Sequence, residues 1–160
     1  MIAEARARAV LEAARGKRWM VTAAESCTGG MVSAALTDIA GSSDTFDRGF
    51  VTYSYPSKTA LLGVPETMLA ENGAVSEPVA RAMALGALDA SGADLAVAIT
   101  GVAGPGGSET KPEGLVWFAV ATRAGVRSEK RAFGPLGREI VRLRSVETAL
   151  DLMLQEMAGP

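Results

Sequence analysis

Short apolar runs alternate with helical segments along this chain, and the alternation limits the folds open to it. Strands are predicted over residues 19–23, 50–53, 95–100, 115–122 and 126–133. Helices are predicted over residues 2–15, 28–36, 64–72, 76–92 and 139–157. We therefore predict an α/β fold, a three-layer α/β/α sandwich whose mixed, mostly parallel sheet includes an antiparallel hairpin.

Length and charge restrict the kind of protein further. The 160 residues predict one domain over residues 1–160. A net charge of −2, dispersed basic residues and 5% aromatic residues argue against a nucleic-acid partner. No secretory signal or membrane-length apolar run is evident, and Cys27 is the one cysteine. We expect a cytoplasmic protein with no membrane partner, and a homo-oligomer on general grounds.

The sequence contains no histidine. A Ser-His-Asp triad is therefore excluded, as are catalytic zinc sites built on histidine ligands. Hydrolysis by this chain needs another base, and lysine is the leading candidate because burial lowers the pKa of its amine. No cluster of carboxylates has the spacing of a metal site.

A serine lies where the first predicted strand meets the second helix, in the segment Glu25-Ser26-Cys27-Thr28-Gly29-Gly30. The open N–H groups and dipole of a helix N-terminus favour developing negative charge, and glycines let a ligand approach the backbone closely. Ordinary capping by serine and threonine explains the same residues equally well. The segment matches neither the G-x-S-x-G elbow nor the P-loop.

Two further segments carry candidate chemistry. In Tyr53-Ser54-Tyr55-Pro56-Ser57-Lys58, a desolvated Lys58 beside Ser26 could take the hydroxyl proton and Tyr53 could hold or relay it. A surface lysine at a helix start is the alternative. A glycine-rich loop over residues 100–107, followed by Lys111, offers an anion-binding nest at a sheet edge, or is a plain connector.

Four side chains are weaker candidates. Glu25 could orient Lys58 or a substrate amide, or be a solvent-exposed or helix-end carboxylate. Cys27 could be a nucleophile at a helix N-terminus or a small buried thiol. Arg138 and Arg142 lie one helical turn apart, so they could meet a phosphate or form a solvated face.

Taken together, these segments resemble a known family. The stretches are Ala24-Glu25-Ser26-Cys27-Thr28-Gly29-Gly30, Gly41-Ser42-Ser43, Tyr53-Ser54 with Lys58, Leu61-Leu62-Gly63-Val64, Gly73-Ala74-Val75-Ser76, Thr100-Gly101-Val102-Ala103-Gly104-Pro105 and Lys111-Pro112. In this order they are similar to the CinA C-terminal domain family, whose stand-alone members include nicotinamide-nucleotide amidohydrolases. The similarity runs from about residue 20 to residue 122, and we expect the larger N-terminal domain of fused members to be absent.

The resemblance implies hydrolysis of the carboxamide of nicotinamide mononucleotide (NMN), giving nicotinic acid mononucleotide and ammonia in pyridine nucleotide salvage. It implies no cofactor and no metal. The implied catalytic residues are Ser26 as nucleophile, Lys58 as base and Tyr53 in proton transfer, with backbone N–H groups near Thr28 to Gly30 holding the oxyanion. The substrate-binding residues are expected to be Glu25, Thr28, Gly29, Gly30, Thr100, Gly101, Gly104, Gly106, Gly107 and Lys111.

Three features depart from the family pattern. Tyr55 stands where the family usually has asparagine, and Glu113 stands where it usually has valine. The arginine-bearing motif after Phe133 is one residue longer, which weakens a phosphate contact by Arg138. The alternative function is a non-catalytic nucleotide-binding module, or a partner-binding module linked to competence or DNA damage, whose loops bind a ligand without turning it over.

Overall fold

A computed structural model describes residues 1–108 and 110–159. Over these residues the helices are α1 Glu4–Lys17, α2 Met31–Thr37, α3 Tyr55–Leu62, α4 Glu66–Asn72, α5 Glu77–Ser91 and α6 Arg138–Ala158, with a 3-10 turn at Ser42–Asp44. The strands are β1 Val21–Glu25, β2 Phe46–Val51, β3 Leu95–Gly101, β4 Leu115–Thr122 and β5 Gly125–Ala132.

The strands form one mixed sheet in the order β2-β1-β3-β4-β5. Strand β1 pairs in parallel with both β2 and β3, whereas β4 is antiparallel to β3 and to β5. Every strand except β4 therefore runs in the same direction. The predicted mixed sheet and its β4–β5 hairpin are confirmed.

Helices cover both faces of the sheet, which gives the predicted three layers. On one face α1, α2 and α6 pack on branched and aromatic side chains such as Val97, Ile99 and Phe118. On the other face α3, α4 and α5 pack on alanines, including Ala96 and Ala98. The two sets alternate along β3 because successive side chains of a strand point to opposite faces. Small side chains on the second face let α5 lie close to the sheet.

Two local predictions are wrong. The second strand lies at Phe46–Val51 and not at residues 50–53, because it is an edge strand whose polar Asp47 and Arg48 are exposed and break the apolar pattern. Helix α3 was not predicted, because its start is polar. Ser54 and Ser57 form a capping box there, and Pro56 lies in the tolerant first turn.

Helix α3 is held by close packing against α5. A Cβ placed on Gly86 of α5 would lie 1.9 Å from the Leu62 carbonyl oxygen at the end of α3. The two helices can therefore pack at this short distance only because Gly86 has no side chain. Among the described residues, no helix has the length and apolar character needed to cross a membrane.

Candidate active site

The carboxyl ends of three neighbouring strands meet at one edge of the sheet. The Ser26 N–H donates to the Ile99 carbonyl at 2.9 Å, so the pairing of β1 with β3 continues one residue past the end of β1. On the other side, the Thr52 N–H donates to the Glu25 carbonyl at 2.9 Å. Ser26 therefore occupies the central position of this edge, which is where ligands bind in open α/β sheets.

Lys58, from the first half of α3, reaches Ser26 across this edge. Its Nζ lies 3.0 Å from Ser26 Oγ and donates to the Thr52 carbonyl at 2.6 Å. The lysine is fully buried and Ser26 is 9% exposed. No carboxylate among the described residues forms an ion pair with this amine. The two side chains that the sequence singled out are thus in hydrogen-bonding contact.

The environment of Lys58 raises the fraction of its amine that is neutral at pH 7. Burial removes the ammonium group from water, which lowers the pKa of Lys58 from 10.5 to about 8. At pH 7 about 9% of an amine with that pKa is neutral, against about 0.03% at the ordinary value. A neutral amine beside a hydroxyl can accept the hydroxyl proton, so the pair can generate a nucleophile without histidine.

Glu25 supports the loop that carries Ser26. Its buried carboxylate accepts hydrogen bonds from the hydroxyls of Thr28 and Ser33, at 2.7 and 2.8 Å. It also accepts the backbone N–H groups of Val32 and Ser33, at 2.9 and 3.0 Å, and so caps the first turn of α2. From the sequence, Glu25 is expected to contact the substrate. In the structure its carboxylate instead accepts hydrogen bonds from the protein's own hydroxyl and N–H groups.

The two glycines of the loop serve its turn into α2. Gly29 and Gly30 have φ values of +57° and +102°, which glycine adopts without strain. The Gly29 N–H donates to the Ser26 carbonyl at 3.0 Å, so it is already engaged. Glu25, Thr28, Gly29 and Gly30 all lie outside the described lining of the neighbouring cavity.

An open cavity of about 450 Å³ lies beside the Ser26–Lys58 pair. Among the residues that the structure describes, nine of the predicted site residues line this cavity: Ser26, Tyr53, Lys58, Thr100, Gly101, Gly104, Gly106, Gly107 and Lys111. Residues 73–75 form one wall of the cavity, and they were not predicted from the sequence as a binding surface. The Gly73-Ala74-Val75-Ser76 motif was the signal that could have found it.

Side chains from three other segments hold that wall. The Ala74 N–H donates to Tyr55 Oη at 3.0 Å, and the Thr100 hydroxyl donates to the Ala74 carbonyl at 2.9 Å. Lys111 Nζ donates to the Val75 carbonyl at 2.6 Å. The wall is therefore fixed to α3, to β3 and to the loop before β4.

Tyr53 lies at the mouth of the cavity and pairs with α6. Its side chain is 59% exposed, and its Oη accepts from Arg138 Nη2 at 2.5 Å. The other terminal nitrogen of Arg138 donates to the Gly104 carbonyl at 2.8 Å. Tyr53 makes no hydrogen bond with Ser26 or Lys58 among the described contacts.

Arg142 of α6 contacts the loop that follows Ser26, at Cys27 and Thr28. Arg142 donates to the Cys27 carbonyl at 3.1 Å and to the Thr28 carbonyl at 3.3 Å. This role of Arg142 could not be predicted from the sequence, because its partners Cys27 and Thr28 are 115 and 114 residues away in the chain. Burial raises the pKa of the Cys27 thiol to about 12, which leaves almost no thiolate at neutral pH and disfavours Cys27 as nucleophile.

Comparisons with known proteins identify the family of this chain. Residues 3–157 match the CinA C-terminal domain family. A protein named nicotinamide-nucleotide amidohydrolase PncC, from Enterobacter agglomerans, is 54% identical over 146 residues, which are 90% of this chain and 88% of the relative. Its namesake from Escherichia coli is 51% identical over 91% of this chain and 88% of the relative.

Solved structures agree with the fold. The crystal structure of the competence/damage inducible protein CihA from Agrobacterium tumefaciens is 48% identical, with a TM-score of 0.92 over 97% of this chain and 94% of that chain. Among the described residues, no group of three or more cysteine, aspartate and glutamate side chains is placed to hold a metal ion. The sequence match over nearly the whole chain and the shared fold show that this protein belongs to the CinA C-terminal domain family.

Proposed function

We propose that this chain is a nicotinamide-nucleotide amidohydrolase that converts NMN and water into nicotinic acid mononucleotide and ammonia. The observation that carries the proposal is the buried Lys58 amine 3.0 Å from the Ser26 hydroxyl, at the edge of a cavity large enough for a small ligand. The names of the relatives from Enterobacter agglomerans and Escherichia coli supply the substrate. The setting is cytoplasmic pyridine nucleotide salvage, and the homo-oligomer stays a prediction.

The first step forms a covalent intermediate. Neutral Lys58 accepts the Ser26 proton as Oγ attacks the carboxamide carbon, which creates a C–O bond and a negatively charged oxygen. The Thr52 carbonyl accepts a hydrogen bond from Nζ and so orients the amine. Its contact becomes stronger when Lys58 gains its positive charge, because charge-assisted hydrogen bonds are stronger than neutral ones.

The negative oxygen needs a donor in the backbone. The Cys27 N–H is the group we propose, since Cys27 lines the cavity and its N–H donates to no backbone carbonyl of the described residues. The N–H of the residue after a nucleophile serves this purpose in other hydrolases. This position is one residue before the stretch expected from the sequence. Arg142 holds the Cys27 carbonyl and thereby fixes the orientation of the loop.

The intermediate then breaks down in two stages. The protonated Lys58 returns its proton to the departing nitrogen, and ammonia leaves while Ser26 keeps the acyl group. A water molecule, deprotonated by Lys58, next attacks the ester carbon. The ester C–O bond breaks, Lys58 returns that proton to Ser26 Oγ, and the carboxylic acid leaves. We assign Tyr53 to relaying the proton from Lys58 to the leaving nitrogen, because its phenol lies in the same cavity and Arg138 occupies its acceptor side.

The rest of the cavity takes the nucleotide portion. Lys111 and Arg138 are the cationic side chains of the described lining other than Lys58, and they suit a phosphate ester. Thr100, Gly101, Gly104, Gly106 and Gly107 would contact the substrate from the loop. Four of the predicted substrate-binding residues do not contact the substrate but hold the conformation of the Ser26 loop: Glu25, Thr28, Gly29 and Gly30.

The direct test is ammonia release from NMN by the purified protein, with the acid product identified by chromatography. Ser26→Ala should abolish the release, and Lys58→Met should lower kcat by at least about 100-fold, the low end for a general base. Lys130→Met, at an exposed lysine on β5, is the matched control and should match the parent. A parent protein that binds NMN without releasing ammonia would instead identify a binding module.

A further inference from the structure

Glu113 lies behind the glycine-rich loop, and none of the steps above uses it. Its half-buried carboxylate accepts one backbone N–H from each of two segments. Oε1 accepts from Gly106 at 2.6 Å, and Oε2 accepts from Gly137, the residue before α6, at 2.9 Å. One side chain therefore joins the loop after β3 to the start of α6.

The same side chain lies directly on the backbone of Gly104. A Cβ at Gly104 would come within 2.5 Å of Glu113 Cδ, so a side chain at this position would displace the Glu113 carboxylate. The Gly104 carbonyl accepts from Arg138, and Arg138 also donates to Tyr53. Contacts therefore run from Glu113, through Gly104, to Arg138, one of the two cationic side chains that suit the phosphate ester of the substrate.

Glu113 also changes what the loop offers to a ligand. The glycine-rich segment was expected to present free N–H groups to an anion. The Gly106 N–H is instead taken by a carboxylate of the protein, in a charge-assisted hydrogen bond of the stronger kind. The carboxylate thus acts as an internal anion that fixes the loop before any substrate arrives.

We propose that Glu113 is a positioning residue for substrate binding, which ties the glycine-rich loop to the start of α6 and so fixes the cavity wall that they form. The inference rests on the proposed NMN deamidation, since it concerns the same cavity. Glu113 contacts neither Ser26 nor Lys58 and lies outside the described lining. Its loss should therefore weaken substrate binding and leave the chemical step intact.

Two variants test the role. Glu113→Ala removes both acceptors, whereas Glu113→Gln keeps the length of the side chain and one acceptor oxygen. Because hydrogen bonds to a charged group are among the stronger ones, Glu113→Ala should raise the KM for NMN about tenfold with kcat within about twofold, and Glu113→Gln should raise it less. Glu139→Ala and Glu139→Gln are the matched controls, since Glu139 is exposed in the first turn of α6; they should leave KM unchanged.

Amide hydrogen exchange supplies a readout that needs no activity. The Gly106 and Gly137 amides should be protected in the parent, lose protection in Glu113→Ala, and keep it at one of the two in Glu113→Gln. Unchanged exchange in Glu113→Ala would overturn the proposal. So would lost protection with an unchanged KM, or a fall in kcat in place of the rise in KM. A parent protein inactive on NMN would refute the proposed function, while the exchange result would still decide whether Glu113 holds the two segments.

Discussion

Replacing Lys58 with methionine should lower kcat by at least about 100-fold and yet stabilise the fold near neutral pH. The folded chain lowers the pKa of Lys58 from 10.5 to about 8, so below pH 8 it must bury a charged amine. The shift corresponds to a cost of about 3 kcal/mol in the free energy of unfolding. Methionine carries no charge, so Lys58→Met should recover that amount. The variant also leaves the Thr52 carbonyl and the Ser26 hydroxyl without this partner, which costs roughly 1 kcal/mol each at every pH.

The dependence on pH separates the two effects. Between pH 8 and pH 10.5 the unfolded chain still binds the Lys58 proton, whereas the folded chain has released it, so the parent gains stability relative to Lys58→Met as the pH rises. The advantage of the variant is full below pH 8 and should shrink by about 3 kcal/mol by pH 10.5. Urea unfolding of both proteins from pH 7 to pH 10.5 measures the difference. A difference that stays constant over this range would show that Lys58 is not perturbed, and would remove the basis for its role as base.

Two further predictions follow from the same structure. Because Lys58 acts in its neutral form, kcat/KM for NMN should rise about tenfold per pH unit below pH 8 and level off above it, and a profile flat from pH 6 to pH 9 would contradict this role. Gly86→Ala should lower the free energy of unfolding by about 1–3 kcal/mol, because its Cβ would meet the Leu62 carbonyl oxygen. Gly16→Ala is the matched control in α1, where nothing lies within 4 Å, and should raise stability by about 0.5–1 kcal/mol; thermal unfolding that ranks the two variants alike would refute the packing at Gly86.

The parts of the fold that could be predicted from the sequence are those that depend on local apolar pattern. Residues 95–99 are continuously apolar because β3 is buried on both faces, and the predicted strand 95–100 agrees with Leu95–Gly101 to within one residue. The prediction misplaces strand β2 because most residues of this edge strand are exposed, and the polar Asp47 and Arg48 interrupt the apolar pattern. Helix α3 was missed because its stability comes from a capping box and from contact with α5, neither of which has an apolar period.

Some residues of the candidate site could likewise be predicted from the sequence, whereas the roles of others could not. Resemblance and residue type were enough to nominate Ser26 and Lys58, and the structure places them in contact. The roles of Glu25, Arg142 and Glu113 depend on where distant backbone groups lie in space. A carboxylate that caps a neighbouring helix and one that contacts a substrate have the same sequence signal, so only the folded chain separates them.

The carboxylate at the end of β1 has a consequence for ligand binding. Glu25 is the last residue before the Ser26 loop, and its carboxylate accepts hydrogen bonds from Val32 and Ser33 in the first turn of α2. Residues 26–31 are therefore closed into a small ring by a single side chain. A ring of this size has few alternative backbone states, so little conformational entropy is lost when a ligand arrives. The free and liganded proteins should share one shape of this segment.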